Sequence, residues 1–399
     1  MREGASCCDD SYVRTHVVVV GAGLFGTSIA FQLARRGIDV VLVERDVPGA
    51  GDSGLSFAMV RRHYSNESVA RLAMRGTHVI QHWQDEVGCG DSGFVCTGYL
   101  LTADAERREA LEENIRRLVS WGLDTRVVEP NEIAEIEPLL ALDGIAAAAY
   151  EPDAGFADAK KMALSWFAGA VRHGAVPLLG STVTGFLLDG DRVRGVETDQ
   201  GPIEAGVVVN AAGGWGPALA RTAGIDVPVA LRRLQVSVVR QPPDRPQARV
   251  TFSDMVTNLV LRPDRACQAL VVAYQPPTEY DERDDCPVEL DADYELWIRT
   301  ALRERFPSYA DAEWLGGWAG AYDYTPDWNP ILGWAPGVEG LYLALGWSGH
   351  GFKLPPAVGE VVAAEIEGTD PPVDVSELDP GRFERGELLR LAYGPSARA

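Results

Sequence analysis

The chain has 399 residues, of which 46% are hydrophobic and 24% are charged, so it is long enough for two or three domains with buried cores. This composition excludes an intrinsically disordered or fibrous protein. The 58 acidic residues outnumber the 36 lysines and arginines, and the formal charge of −22 argues against nucleic acid or an anionic membrane surface as a partner.

The N-terminal segment, MREGASCCDDSYVRTH, contains no apolar run of the kind found in a signal peptide, and 1–13 is predicted to be a flexible N-terminus. The longest charge-free stretches are interrupted by glycines, so no membrane span is predicted. The six cysteines have neither the spacing of a metal site nor the density of a disulfide scaffold. We therefore predict a cytoplasmic protein without a bound metal.

Residues 16–44 have the pattern of a βαβ unit. The β-branched run HVVVV ends at Gly21, a helical pattern follows, and a second apolar run, IDVVLVE, ends at Glu44. In the intervening turn, GAGLFG, Gly23 and Gly26 allow the backbone to approach a pyrophosphate, and the helix N-terminus supplies N–H donors. Glu44 is suited to accept hydrogen bonds from the ribose hydroxyls. The unit predicts a bound dinucleotide, but it does not distinguish NAD from FAD.

A second Gly- and Ser-rich loop, PGAGDSGLS at 48–56, follows this unit and leads to the polar cluster RRHY at 61–64. An NAD-binding domain would normally continue into a third strand and helix, so the loop favours FAD. An ordinary surface loop has a similar composition, and that interpretation stays open.

The remaining elements follow in chain order. Helices are predicted at 67–87, 104–122, 160–173, 291–306 and about 353–367. Strands are predicted within 175–210, within 226–275 and at 340–347, and a loop is predicted at 276–290. The DGD turn within 175–210 indicates a hairpin, and the whole stretch is interpreted as antiparallel sheet.

Three segments carry a more specific pattern: VVVNAAGGWG at 207–216, TPDWNPILGW at 325–334 and GLYLALGWSGHGFKLPPAVGE at 340–360. Together with the dinucleotide motif they resemble the D-amino acid oxidase superfamily of flavoproteins, in particular its sarcosine oxidase and glycine oxidase branch. The resemblance implies an α/β fold with a discontinuous Rossmann-type FAD-binding domain and a second, mostly antiparallel-sheet α+β substrate domain. The implied FAD-binding domain comprises 14–87, 150–225 and 314–370, the substrate domain comprises 88–149 and 226–313, and 371–399 forms a C-terminal tail.

The resemblance implies FAD as the cofactor. Monomeric sarcosine oxidases attach their flavin through a cysteine that would fall near Gly320, and no cysteine lies between 287 and 399, so the FAD is expected to be non-covalent. The turn containing Gly346 and Gly349 directs helix N–H groups at the bound group, which suits a negatively charged reduced flavin, although a plain β–α turn would look similar. The residues predicted to bind FAD are Gly21, Gly23, Leu24, Phe25, Gly26, Glu44, Arg45, Ser53, Gly54, Ser56, Val183, Ala211, Gly213, Gly320, Gly349, His350, Gly351, Phe352 and Lys353.

Two cations are candidates for binding a substrate carboxylate. In sarcosine oxidase-like enzymes an arginine and a lysine do this, and the resemblance gives these roles to Arg61 and Lys353. A pair of solvated or salt-bridged cations is the alternative, and Arg62 is an equally placed neighbour. His350 is interpreted either as polarising a substrate or flavin atom or as hydrogen-bonding its own turn. The candidate pocket walls, which could equally be core residues, are Tyr322, Tyr324 and Trp347.

The predicted function is FAD-dependent oxidation of the C–N bond of an amino acid or N-alkyl amino acid, in which hydride moves from the α- or N-alkyl carbon to flavin N5 and leaves an imine. Two alternatives stay open: oxidation of a 2-hydroxy acid, and a flavin-binding electron-transfer subunit of a larger complex. The predicted partners are a small amine or amino acid and O2 or another electron acceptor. Sarcosine oxidases place a lysine near N5 for oxygen reduction; the resemblance puts Val271 there, with Arg233 as an alternative cation, so oxygen is expected to react slowly.

Overall fold

The computed structural model describes residues 13–276, 278–389 and 391–394. The N-terminal segment predicted to be flexible lies outside these residues, apart from Val13. The helices of the described chain are α1 (Leu24–Arg35), α2 (Glu67–Gln81), α3 (Trp83–Glu86), α4 (Arg108–Ser120), α5 (Pro130–Ile136), α6 (Ala159–Arg172), α7 (Gly216–Arg221), α8 (Tyr294–Arg305) and α9 (Pro355–Glu367).

The strands are β1 (Val13–Val20), β2 (Val40–Glu44), β3 (Met59–Val60), β4 (Val95–Cys96), β5 (Tyr99–Ala103), β6 (Arg126–Val128), β7 (Ala147–Glu151), β8 (Gly155–Phe156), β9 (Val176–Leu179), β10 (Val183–Asp189), β11 (Arg192–Thr198), β12 (Ile203–Asn210), β13 (Ala230–Arg240), β14 (Thr251–Asp254), β15 (Leu259–Pro263), β16 (Gln268–Ala273), β17 (Glu279–Tyr280), β18 (Glu313–Tyr324), β19 (Ile331–Trp334) and β20 (Leu341–Leu345).

The first sheet has a parallel centre. Its strand order is β10-β11-β12-β1-β2-β9, and β20 pairs with the end of β12. Strands β12, β1, β2 and β9 run parallel to one another. The valines of β1 alternate between two buried clusters, with Val17 and Val19 on the face that α1, α6 and α9 cover and Val18 and Val20 on the other. Burial of both faces explains the continuous β-branched run, and the predicted Rossmann-type architecture is confirmed.

The second sheet is almost entirely antiparallel. Its strand order is β17-β13-β16-β15-β14-β5-β7-β6, and β18 also pairs with β13. Strands β14 and β5 form the parallel pair of this sheet. Helix α8 packs against one face, where Ile298 and Leu302 join Phe252 and Phe306 in one core. The opposite face of β13 and β16 carries a smaller apolar cluster that includes Leu234 and Val272 and looks toward the first sheet.

Two details of the sequence interpretation need correction. Strand β18 was placed at the start of the last FAD-binding segment, but it pairs along its length with β13 and therefore belongs to the second sheet. The stretch 175–210 is antiparallel only in part: the hairpin of β10 and β11 turns at Gly190 as predicted, whereas β9 runs parallel to β2 and β12 runs parallel to β1. The predicted helices are present at nearly the predicted positions.

Candidate functional site

A long cavity of about 960 Å³ runs from the carboxyl ends of β1 and β2 to the face of the second sheet. Its volume is near the upper end of the roughly 300–1,000 Å³ typical of ligand sites, which suits a large ligand. Most of the predicted FAD-binding residues line it: Gly21, Gly23, Leu24, Phe25, Glu44, Arg45, Ser53, Ser56, Val183, Ala211, Gly213, Gly320, Gly349, Gly351 and Phe352. The structure thus brings together residues from six separate segments of the chain, at 21–25, 44–56, 183, 211–213, 320 and 349–352.

Gly26 and Gly54 shape this cavity without lining it. A Cβ atom on Gly26 would lie 1.7 Å from the carbonyl oxygen of Gly21, and one on Gly54 would lie 2.3 Å from the carbonyl oxygen of Gly49. No side chain fits at either position, so both turns depend on glycine. Gly21 itself has φ +96°, a conformation that favours glycine.

The first glycine turn is held by two polar side chains. The Ala22 N–H donates to the carboxylate of Glu44 over 2.7 Å, and the Leu24 N–H donates to Ser53 Oγ over 3.1 Å. These bonds tie the start of α1 to the end of β2 and to the second glycine-rich loop. The cavity at this point is therefore bounded by a helix N-terminus and by a carboxylate, the donor set that suits pyrophosphate and ribose.

Four further residues that were not predicted from the sequence line the long cavity: Asp52, Trp215, Arg283 and Asp284. Arg283, within the predicted loop 276–290, donates twice to the carboxylate of Asp52, each time over 2.7 Å. Its neighbour Asp284 accepts from the indole N–H of Trp215, on whose ring the Arg45 guanidinium stacks at 4.0 Å. Asp52 and Arg283 lie more than 200 positions apart in the chain. No local sequence pattern could therefore predict that they pair.

At the far end of the cavity, aromatic rings and a carboxylate enclose the space. Phe25 and Trp347 stack with their ring centroids 3.4 Å apart, and both line the cavity with Tyr322. Asp323 was also missed: it is buried beside this stack, and its carboxylate accepts the Gly346 N–H over 2.7 Å. Burial raises the pKa of Asp323 to about 6. Tyr324 lines neither cavity, since its hydroxyl donates to Glu279 at the surface.

A second cavity of about 90 Å³ adjoins this end. Tyr322, Gly349 and Phe352 line both cavities, so the two spaces meet there. Arg61 and Lys353 line the small cavity, and each is only 2% exposed. Burial and the positive charge of Arg61 lower the pKa of Lys353 well below its usual value. The other lining side chains are mostly apolar: Phe57, Ala58, Met59, Leu234, Val260, Val272, Tyr274, and the polar Ser56 and Ser253.

The hydrogen-bond partners of Arg61 and Arg62 show which of the two arginines faces the small cavity. Arg62 is turned toward Glu151, which accepts from both its backbone N–H and its Nε. Arg61 turns the other way: its Nη1 donates to the carbonyl oxygen of His63, and its guanidinium lies 4.4 Å from the centre of the Tyr64 ring. Arg61 is therefore the arginine that faces the small cavity.

Three predicted positions differ from expectation. The His350 ring packs against Tyr64 at 4.8 Å and lies outside the linings of both cavities, and burial holds its pKa well below the usual value. Val271 points into the core under α8, whereas Val272, the next residue, faces the small cavity. Arg233 pairs with Asp291 and lines neither cavity. Successive side chains of β16 point to opposite faces of the sheet. An error of one residue in the predicted alignment of this strand therefore put Val271 at the cavity in place of Val272.

The residues of the long cavity fit FAD. The glycine turns that shape the cavity have no space for a Cβ atom, and Glu44 and the α1 N-terminus supply the carboxylate and the N–H donors that suit ribose and phosphates. One cysteine of the described chain, Cys286, lines the cavity, and burial raises the pKa of its thiol. A thiol that stays protonated is a poor nucleophile, which supports non-covalent binding.

Residues 16–365 match the family of FAD dependent oxidoreductases, and the chain belongs to this family. It is an FAD-dependent enzyme, as the sequence predicted. Among the relatives, the mitochondrial dimethylglycine dehydrogenase of Rattus norvegicus is 26% identical over 389 residues, which cover 93% of this chain and 45% of that one. The chain thus spans less than half the length of this relative.

Two other relatives match over nearly their whole length. The sarcosine oxidase subunit beta of an Arthrobacter species is 27% identical over 383 residues, covering 94% of this chain and 92% of that one. The solved structure of an L-proline dehydrogenase from P. horikoshii superimposes with a TM-score of 0.87 at 30% identity, covering 95% of this chain and 100% of the other. Within the described residues, no helix is both long and apolar enough to cross a membrane.

Proposed function

We propose that this enzyme oxidises the C–N bond of a small amino acid or N-alkyl amino acid, with the carboxylate held by Arg61 and Lys353. The observation that carries the proposal is the placement of these two buried cations on the wall of one small cavity that opens into the FAD cavity. Relatives named for sarcosine, dimethylglycine and L-proline support an amino acid substrate.

Two cations side by side in a buried space favour an anionic ligand. Each ammonium or guanidinium loses hydration on burial, and a carboxylate between them restores the lost interactions. The planar guanidinium of Arg61 offers two parallel N–H donors to the two oxygens, and Lys353 adds a compact charge. A bound carboxylate also stabilises the protonated form of Lys353, whose pKa burial and Arg61 depress in the empty cavity.

The size and the walls of the cavity define the rest of the ligand. With a volume of about 90 Å³, the small cavity suits a carboxylate with a short amine-bearing group, and a larger side chain would have to extend beyond it. The apolar walls formed by Val260 and Val272 favour the neutral amine over the ammonium and exclude water from the product imine. These residues orient the substrate carbon next to nitrogen toward the FAD cavity. When bound, FAD supplies the hydride acceptor.

The test is an anaerobic titration of the purified holoenzyme with small amino acids, followed through the flavin absorbance. Glycine, N-methylglycine and proline are compared with phenylalanine, whose side chain would have to extend beyond the small cavity. Bleaching by one of the small amino acids, but not by phenylalanine, is the expected result. Lactate serves as the 2-hydroxy acid comparison, and bleaching by lactate alone would refute amine oxidation. A rate that rises with pH through the pKa of the substrate amine further identifies the amine as the reactive group.

The names of the relatives favour a second possibility for how the enzyme works. Two of the similar proteins are called sarcosine oxidase subunit beta, which indicates a larger assembly in those cases. If this chain needs such an assembly, the isolated chain will bind FAD but will not be reduced by any amino acid that reduces the complete complex. Turnover by the isolated chain would exclude that requirement.

A further inference from the structure

We infer that Tyr393, in the C-terminal segment, is a positioning residue for Arg61: with Asn114 it fixes His63 and Tyr64, two residues that contact the Arg61 guanidinium. This inference rests on the proposed function, because it concerns how the substrate carboxylate is bound.

Two of the residues that contact the guanidinium of Arg61 follow it closely in the chain. The carbonyl oxygen of His63 accepts from Arg61 Nη1, and the Tyr64 ring lies under the guanidinium at 4.4 Å. Any movement of the backbone at 63 or 64 therefore moves both the acceptor and the aromatic surface. Because Arg61 forms part of the wall of a cavity of only about 90 Å³, a shift of this kind changes how its N–H donors meet a carboxylate.

The side chain of His63 is in turn fixed from two other elements. Its Nε2 lies 2.8 Å from the hydroxyl oxygen of Tyr393 and 3.1 Å from Nδ2 of Asn114 on α4. The same Asn114 amide donates to the carbonyl oxygen of Tyr64 over 3.3 Å. His63 is fully buried, and burial together with the charge of Arg61 lowers its pKa to about 3, so the ring is neutral. A neutral ring shares a hydrogen bond with the Tyr393 hydroxyl without repelling Arg61.

The C-terminal segment is anchored by several contacts that precede Tyr393 in the chain. Asp327, from the TPD motif, forms a buried ion pair with Arg382 and accepts the Leu389 N–H over 3.2 Å. Further along, the Ala392 N–H donates to Ser65 Oγ over 3.0 Å, and the Tyr393 ring stacks on His63 with centroids 5.9 Å apart. The TPD motif at 325–327 therefore also helps to hold in place the segment that carries Tyr393.

The experiment compares the holoenzyme with Tyr393→Phe and Asn114→Ala, which each remove one hydrogen-bonding partner of His63. Binding of acetate and of acetamide is measured by the change in the flavin absorbance spectrum, because these ligands differ mainly in the charged group. The Kd for acetate is expected to rise about three- to tenfold in Tyr393→Phe, the effect of one neutral hydrogen bond, and at least as much in Asn114→Ala, which also loses the hydrogen bond to the Tyr64 carbonyl oxygen. The Kd for acetamide should change by less than about twofold, since it does not depend on a charge-assisted contact.

The matched control is Tyr309→Phe, which removes another buried tyrosine hydroxyl, one that accepts the Ala248 N–H in the core of the second sheet. It should lower the melting temperature and leave the acetate-to-acetamide ratio unchanged. Equal weakening of both ligands in Tyr393→Phe and Asn114→Ala, or unchanged acetate binding in both, would overturn the inference. If the wild-type flavin responds to neither carboxylates nor amino acids, the proposed function fails instead, so the two failures are distinct.

Discussion

Replacement of Lys353 by Met is the most direct test of carboxylate binding. Methionine nearly matches the length of the lysine side chain and removes only the charge from a residue that is 2% exposed. A hydrogen bond to a charged group contributes about 1.5–3 kcal/mol, so the loss should weaken substrate binding by about tenfold to a hundredfold. FAD should remain bound, because Lys353 lines only the small cavity, whereas the dinucleotide turn and Glu44 line the long one.

The same variant should behave differently in a stability measurement. The pKa of Lys353 is depressed in the folded protein, so the unfolded chain binds more protons and stability rises with pH until the unfolded pKa of about 10.4 is passed. Lys353→Met removes this cost. Without ligand, the variant is expected to melt no lower than the wild type at pH 7, and its advantage should shrink as the pH approaches 9.

Stopped-flow measurement of flavin reduction at low substrate concentration, together with thermal unfolding from pH 7 to 9, checks both effects. Lys161→Met is the control, because Lys161 is exposed and pairs with Asp91 on the surface, away from both cavities. It should change neither measurement beyond experimental error. Unchanged reduction kinetics in Lys353→Met would refute the assignment of Lys353 to the substrate carboxylate.

Three further predictions follow from the FAD cavity and the strand beside it. Acid precipitation should release FAD into the supernatant, equally from the wild type and from Cys286→Ser; flavin that stays with the precipitate of the wild type alone would show a covalent link at the one cavity cysteine of the described chain. Gly26→Ala should abolish FAD binding, detected by loss of the yellow absorbance in purified protein, because its Cβ atom would lie 1.7 Å from the Gly21 carbonyl oxygen; normal flavin content would contradict the turn geometry. The reduced enzyme should reoxidise slowly in air. Val272→Lys should accelerate this oxidation by placing a positive charge at the cavity, whereas Val271→Lys should only destabilise the core. Rapid air oxidation of the reduced wild type in stopped-flow measurements would contradict this reasoning.

The sequence by itself determined the dinucleotide-binding unit. The run before Gly21, the glycine turn and Glu44 lie within 30 residues, and their geometry depends on local rules: which positions need glycine, which periodicity makes a helix, and which runs are buried on both faces. The helices were predictable for the same reason, since amphipathic periodicity is visible within a single segment. The other residues lining the FAD cavity were largely identified through the resemblance to the flavoprotein family.

Tertiary structure alone decided the features that depend on a distant partner or on the face of a strand. Strand β18 follows the second sheet because it pairs with β13, some 80 residues earlier in the chain, and no local pattern specifies that partner. Arg61 rather than Arg62 faces the small cavity because Arg62 donates a hydrogen bond to the carboxylate of Glu151. The exchange of Val271 and Val272 has a related cause: side chains alternate with a period of two along a strand, so an error of one residue moves a side chain from the cavity to the core.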